Sequence, residues 1–258
     1  MIKQVFCFCV FILCCVSLRV DALDSLVLQS IVSEQEYYQI SSIEDIWHVK
    51  QTNGGIEVLF LTEHQDKYPN ASVVLTKQEL NEFLKEEFNR NQIHKEWNAN
   101  EPLEDFFNAF RTYDEIMSFC DTLALKYPSL VTKFEAGTTW EGAVIYGFIV
   151  STSNGDSNKP RVWLQAQQHA REWLATPTLL YTYYTLLEES STNSTYSNML
   201  NNIDWHIIPM VNIDGYKYTW FNESTRLWRK NRHVLESGAI GVDLNRNWYV
   251  QEVFCSFF

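Results

Sequence analysis

Apolar positions along the chain follow two different rhythms, one before about residue 95 and one after about residue 105. In the first stretch, Leu26 to Ile31 is an apolar run of strand length. Gly54-Gly55 marks a turn, after which Ile56, Val58 and Phe60 alternate as a half-buried strand would. Thr76-Lys77-Gln78-Glu79 has the spacing of a capping box and opens a helix with Leu80, Phe83, Leu84 and Phe88 on one face. Ile93 to Trp97 fits a returning strand. The pattern predicts a small α+β unit. The segment His94 to Pro102 is polar and breaks both periodicities, which marks a linker.

The second stretch reads as a larger α/β unit. Thr112-Tyr113-Asp114-Glu115 is another capping box, heading a helix that ends near Tyr127-Pro128. Strands follow over Val131 to Ala136 and Val144 to Ser151, with Gly137 to Gly142 between them. Asn154-Gly155-Asp156 makes a turn, Arg161 to Gln165 a third strand, and Trp173 to Glu189 a helix. A fourth strand, Ile203 to Val211, leaves through Asn212-Ile213-Asp214-Gly215. Strands alternating with helices predict an α/β domain with a mixed, mainly parallel sheet flanked by helices.

The N-terminus changes the picture of where the chain works. Lys3 precedes a continuous apolar run from Val5 to Ser17, and short residues up to Ala22 follow. That is the layout of a secretory signal peptide cleaved after Ala22, and the run is too short for a membrane span of about 20 residues. Removing residues 1–22 takes Cys7, Cys9, Cys14 and Cys15 with it, leaving Cys120 and Cys255. No disulfide framework is implied. Cys120 shares helical spacing with Ile116, Phe119 and Leu123, as a small buried residue would. Sequons at Asn70, Asn193 and Asn222 fit passage through the secretory route. A net charge of −12 argues against nucleic acid or an anionic membrane as partner, since both require clustered Lys and Arg.

The chemistry lies in Gln168-His169-Ala170-Arg171-Glu172-Trp173, between a buried strand and a helix. His and Glu at this spacing can bring an imidazole nitrogen and a carboxylate oxygen to one zinc ion. His-x-x-Glu alone is a weak motif. His233-Val234-Leu235-Glu236 repeats it in a polar loop with no strand before it, and that copy reads as solvated loop.

The downstream segments make the first copy specific. Pro209 to Tyr216, Trp228-Arg229-Lys230-Asn231-Arg232 and Gly241-Val242-Asp243-Leu244-Asn245-Arg246-Asn247-Trp248 follow in order. Together with the His169 segment they resemble the zinc metallocarboxypeptidases of the A/B type over residues 105 to 248, and residues 24–95 resemble the family's activation prodomain. The resemblance implies that His169 and Glu172 are two of three Zn2+ ligands, a His₂Glu set of the kind found in carboxypeptidase A. Arg229 corresponds to the arginine that polarises the scissile carbonyl and steadies the oxyanion. Asn245 and Arg246 match the pair that grips the substrate's terminal carboxylate, and Arg171 a further arginine near the substrate path. The implied partners are peptide or protein C-termini and an activating protease, and the implied state is a monomer.

The resemblance also implies a third ligand histidine, a general-base glutamate and a capping tyrosine beyond the Asn-Arg pair. Only ten residues, Tyr249 to Phe258, follow Trp248, and they read as unlike the family's continuation. Ile240 stands where the family's first disulfide cysteine belongs. His206 reads as a strand histidine, and His48, His64 and His94 belong to the first unit or the linker. Glu252, after the pair, has no surroundings that suggest a base. The expected organisation is a signal peptide (1–22), an activation prodomain with linker (23–100) and a partial catalytic domain (101–258). The expected function is a secreted zymogen of a C-terminal peptidase, inactive at this length. The alternatives are a prodomain-type inhibitor acting in trans and a fragment without function.

Overall fold

The computed structural model describes residues 25–92, 96–153 and 158–248. The signal-like segment, the Asn154–Asp156 turn, Ile93–Lys95 and the tail after Trp248 lie outside them. Four strands, β1 (Leu26–Val32), β2 (Asp45–Thr52), β3 (Gly55–Thr62) and β4 (Ser72–Leu75), make one antiparallel sheet in the order β2-β3-β1-β4. Helix α1 (Glu34–Ile43) opens on a Ser33–Glu36 capping box. Among the described side chains of α1, Tyr37 and Ile40 join the apolar cluster of this sheet, so the helix carries little hydrophobic periodicity to read. Helix α2 (Lys77–Gln92) begins at the Thr76–Glu79 capping box, as the sequence predicts. Leu80 and Leu84, one turn apart, pack with Val27 and Leu61. Phe83 does not share their face: it flanks the i, i+4 stripe and is 56% exposed.

The second sheet contains β5 (Val131–Thr138), β6 (Val144–Val150), β7 (Arg161–Gln165) and β8 (Asp204–Ile208), in the order β5-β6-β8-β7. The expected mainly parallel pairing is corrected here. Among the described residues β5–β6 and β6–β8 run antiparallel, and only β7–β8 is parallel. The connections explain it. A short turn, closed by Thr139 N–H donating to the Ala143 carbonyl at 2.8 Å, joins β5 to β6, and such a hairpin forces antiparallel strands. Between β7 and β8 lie α4 (Ala175–Glu188) and α5 (Ser194–Asn202), long enough for a parallel crossover.

Helix α3 (Tyr113–Lys126) starts at the Thr112–Glu115 capping box and supplies Ile116, Phe119, Cys120 and Leu123 to the core under this sheet. Phe148 and Val150 of β6, Ile207 of β8, and Leu180, Tyr183 and Leu187 of α4 meet them there. Cys120 is free and fully buried, and burial pushes its thiol well above the usual range. It behaves as an apolar residue.

The polar segment before α3 is tied down by its one large apolar side chain, which is not in a strand. Trp97 sits edge-on to Phe106 and Phe119, each at 5.5 Å. Its backbone N–H donates to Glu115 Oε1 at 2.9 Å, and its indole N–H to the Pro102 carbonyl at 3.1 Å. Glu115 also holds Arg111 at 3.2 Å in a buried pair. Trp97→Ala is expected to cost about 3–5 kcal/mol in denaturant unfolding, because a large aromatic is removed from a packed core. A loss under about 1 kcal/mol would mean the indole contributes no packing, as expected of an exposed site.

His206 occupies the other face of β8, stacked on Trp163 at 5.6 Å and edge-on to Phe134. Desolvation, with the charge of Arg161, lowers its pKa from 6.5. The unfolded chain therefore binds a proton that the folded one resists, so stability falls as pH drops below 6.5. Replacement by Phe is expected to flatten that part of the stability–pH curve, read from denaturant midpoints above and below this pH.

Helix α2 of the first unit meets the segment around Arg226 and Leu227 of the second. Glu87 takes the Arg226 guanidinium on both oxygens, at 2.7 and 3.2 Å. The same guanidinium lies 3.8 Å over the Trp173 ring and donates to the Arg171 carbonyl at 2.8 Å. Leu227 adds to the cluster of Leu80 and Leu84.

Candidate metal and substrate site

Because β7 and β8 are parallel, the segments leaving their C-terminal ends emerge at the same end of the sheet. Pairing continues past the strands: Ala166 N–H donates to the Ile208 carbonyl, and Asn212 N–H to the Gln167 carbonyl. Gln167 is buried and has a positive φ of 56°, uncommon for a non-glycine residue. Its amide nitrogen donates to the carbonyls of His169 and Ala170 at 3.1 and 2.8 Å, and its amide oxygen accepts from Thr176. That side chain turns the backbone out of the strand and fixes it just where His169 begins.

Asn212 precedes α6 (Ile213–Thr219) and joins two distant segments to its own. Its Oδ1 accepts the Gly215 N–H, while Nδ2 donates to the carbonyls of Gln168 and Lys230 at 3.2 and 3.1 Å. A Cβ on Gly215 would stand 2.5 Å from the Lys230 carbonyl oxygen, so glycine is required for this approach. Ala170 N–H donates to the Arg229 carbonyl at 2.9 Å, which seats the Trp228–Arg232 segment against the His169 loop. Asn231 Oδ1 accepts the Val242 N–H at 2.7 Å. Gly241, at φ +94°, lets the chain pass close to Lys230 and Asn231 on its way to Asp243.

These stitches bring four side chains together. His169 Nδ1 lies 2.8 Å from Glu172 Oε1, and its Nε2 lies 3.2 Å from Asp243 Oδ1. Arg229 Nε donates to Asp243 Oδ2 at 3.0 Å, and Arg229 Nη1 lies 3.7 Å from Glu172 Oε1. His169, Arg229 and Asp243 are buried, whereas the Glu172 side chain is a quarter exposed. Burial pushes the Asp243 carboxyl up. The hydrogen bond from His169, the charges of Arg229 and His169 and the Asn245 N–H outweigh it, holding Asp243 well below the usual carboxylate range.

The donor set fits zinc as a pair of ligands. An imidazole whose Nε2–H donates to a carboxylate presents its Nδ1 lone pair, and here Nδ1 faces a second carboxylate oxygen. Among the described residues no group of three or more His, Cys, Asp and Glu side chains is placed to hold a metal ion. His206 is packed between aromatic rings, and His233 stacks on Trp140 at 4.0 Å.

The remaining sequence-derived residues are placed differently. Arg171 meets the network through its backbone carbonyl, which accepts from Arg226. Asn245 and Arg246 form a 3-10 turn (Leu244–Arg246) capped by Asp243, whose Oδ1 accepts the Asn245 N–H at 2.8 Å. The exposed Arg246 guanidinium donates to the Asn245 carbonyl at 3.0 Å. Asp243, Asn212 and Gln167 carry the geometry, yet none was singled out from the sequence as a site residue. The one local signal was that Asp243 stands at capping distance before Leu244-Asn245-Arg246.

The zinc carboxypeptidase family model matches residues 116–256, more than half of the chain. The chain belongs to that family. The match runs on past Trp248 to residue 256, against the expectation that the tail is unlike the family's continuation. Carboxypeptidase B of Astacus astacus is 36% identical over 145 residues, covering 55% of this chain and 45% of that protein. Carboxypeptidase A1 of Mus musculus is 30% identical over 241 residues, covering 90% of this chain and 55% of that one. The crystal structure of carboxypeptidase A from Helicoverpa armigera superposes with a TM-score of 0.72 at 26% identity, covering 90% of this chain and 59% of that one. The chain thus spans about half the length of the relatives it matches.

Proposed function

We propose that this chain carries the zinc-binding and substrate-gripping half of a secreted carboxypeptidase zymogen, acting on the free C-terminus of peptides. The observation that carries the reading is the convergence of His169, Glu172, Asp243 and Arg229 at one end of the sheet. His169 and Glu172 would hold the zinc ion. When bound, zinc supplies Lewis acidity toward a carbonyl oxygen.

The other roles follow from the chain's own groups. Asp243 fixes the imidazole tautomer and orients Arg229. Arg229, buried and directed by that carboxylate, offers guanidinium N–H groups to negative charge developing on the scissile carbonyl. Asn245 and Arg246 supply an amide and an exposed guanidinium fork for the terminal carboxylate, with Arg171 further along the path. Residues 1–22 act as the export signal and 23–100 as a prodomain removed by an activating protease. The Glu87–Arg226 pair seats α2 beside the His169 loop, in keeping with that role.

The described residues offer two ligands, and a polypeptide limited to residues 1–258 is inactive in this reading. After dialysis it is expected to hold clearly less than one zinc per chain by elemental analysis. Stoichiometric, chelator-resistant zinc would show that another residue closes the site. The function itself is tested on peptides with free and amidated C-termini, using a polypeptide extended beyond residue 256, where the family match ends, to the length of the relatives. Equal cleavage of both would overturn the assignment of Asn245 and Arg246.

A further inference from the structure

Three Asn-x-Ser/Thr sequons are present, and the proposed chemistry uses none of them. They sit in unlike surroundings. Asn193 caps α5, its Oδ1 accepting the Thr195 N–H at 3.0 Å, and Asn193, Ser194 and Thr195 are all exposed. This turn engages the amide oxygen and keeps the sequon hydroxyl residue beside it on the surface. Asn70 lies in the turn before β4, and both Asn70 and Ser72 are exposed.

Asn222 is half-buried, and its Oδ1 accepts from both Ser224 Oγ at 2.6 Å and the Thr225 N–H at 3.1 Å. The next residue, Glu223, faces Gln78, Asn81, Glu82 and Lys85 of α2 across a crevice of about 290 Å³. Thr225 and Arg226, which follow, are buried. An oligosaccharide on Asn222 would be attached one residue from that crevice.

We propose that the folded, exported chain carries N-linked glycans on Asn70 and Asn193 and none on Asn222. The inference rests on the secretory routing proposed above. The co-reactant is a lipid-linked pyrophosphoryl oligosaccharide. A bond forms between the Asn Nδ2 and the anomeric carbon of the first sugar, and the bond from that carbon to the phosphate oxygen breaks. The lipid pyrophosphate leaves with the bonding pair, one Nδ2 proton passes to a carboxylate of the transferase, and nothing is oxidised or reduced. The attached oligosaccharide is bulky and must stay at the surface. A glycan on Asn70 or Asn193 stays clear of both cores, whereas one on Asn222 starts next to Glu223 at the α2 crevice and three residues before buried Thr225. There its bulk opposes the seating of α2, and chains so modified drop out of the exported pool.

The experiment expresses residues 1–258 in secreting eukaryotic cells and, in parallel, residues 23–258 behind the leader of an unrelated secreted protein. Peptide N-glycosidase in heavy-oxygen water converts each glycan-bearing Asn to a labelled Asp, which mass spectrometry locates. Label is expected at positions 70 and 193 and not at 222. Asn70→Gln and Asn193→Gln should each remove one step of gel mobility, and Asn222→Gln none. Label at 222 in exported protein, or none at 70 or 193 in exported protein, overturns the assignment. If only the leader-swapped chain is exported, and it carries both glycans, the routing reading fails and the glycan assignment stands.

Discussion

A polypeptide extended beyond residue 256, where the family match ends, to the length of the relatives is expected to release C-terminal residues, whereas residues 1–258 release none above background. The expected gap is large. A positioned general base typically contributes a factor of about 10²–10⁴, and an open two-ligand metal site adds to the deficit. Glu172→Ala in the extended polypeptide should abolish turnover together with zinc retention, because it removes one of the two oxygen and nitrogen donors that face each other at 2.8 Å. The measurement is release of the terminal residue after prodomain removal, alongside metal content. Robust turnover by residues 1–258 would show that the chain closes its own site and would overturn the two-ligand reading.

Asp243→Ala is expected to be the most damaging single change at the site for stability. Arg229 is 4% exposed, and Asp243 is the group that takes its Nε–H. Removing one partner of a buried ion pair costs about 3–5 kcal/mol, and because Glu172, 3.7 Å from Arg229 Nη1, still faces the guanidinium, the loss here is expected near the lower end of that range. The same change releases His169 Nε2 and the capping bond to Asn245. Asp243→Asn keeps the shape and one acceptor, so it should lose less. Urea unfolding of the two variants separates these outcomes. If Ala and Asn destabilise equally and by under about 1 kcal/mol, the carboxylate is not holding the arginine.

What was legible in the sequence is what local interactions decide. The Thr76–Glu79 and Thr112–Glu115 boxes close within one turn of chain, so spacing alone reveals them. Distinguishing His169 from His233 also rested on a neighbour in sequence, the strand that ends at Gln165. Helices α1 and α5 went unread because their described side chains bury few apolar residues, Leu200 being the one buried residue of α5, whereas α6 buries Ile213 and Tyr216 but is too short, at 7 residues, to show a helical period. The family motifs pointed to His169, Glu172 and Arg229, which the structure brings together. Asn212 and Gln167 escaped notice because their amides act on backbone groups, and the Asn212 partners lie 44 and 18 residues away. The parallel-sheet expectation failed at β5–β6, where Gly137 to Gly142 was already a turn too short for a crossover.

The Asn212, Arg229 and Asp243 contacts bear on the order in which the molecule assembles. His169 reaches its Asp243 partner across 74 residues of chain, so the loop cannot settle while that segment is still on the ribosome. Contacts this far apart in sequence carry a loop-closure cost that hairpins and capped helices escape. The β5–β6 hairpin and α3 should therefore gain amide protection first, and residues 169–173 last. In pulse-labelled refolding, the proposed metal site would mark the end of folding.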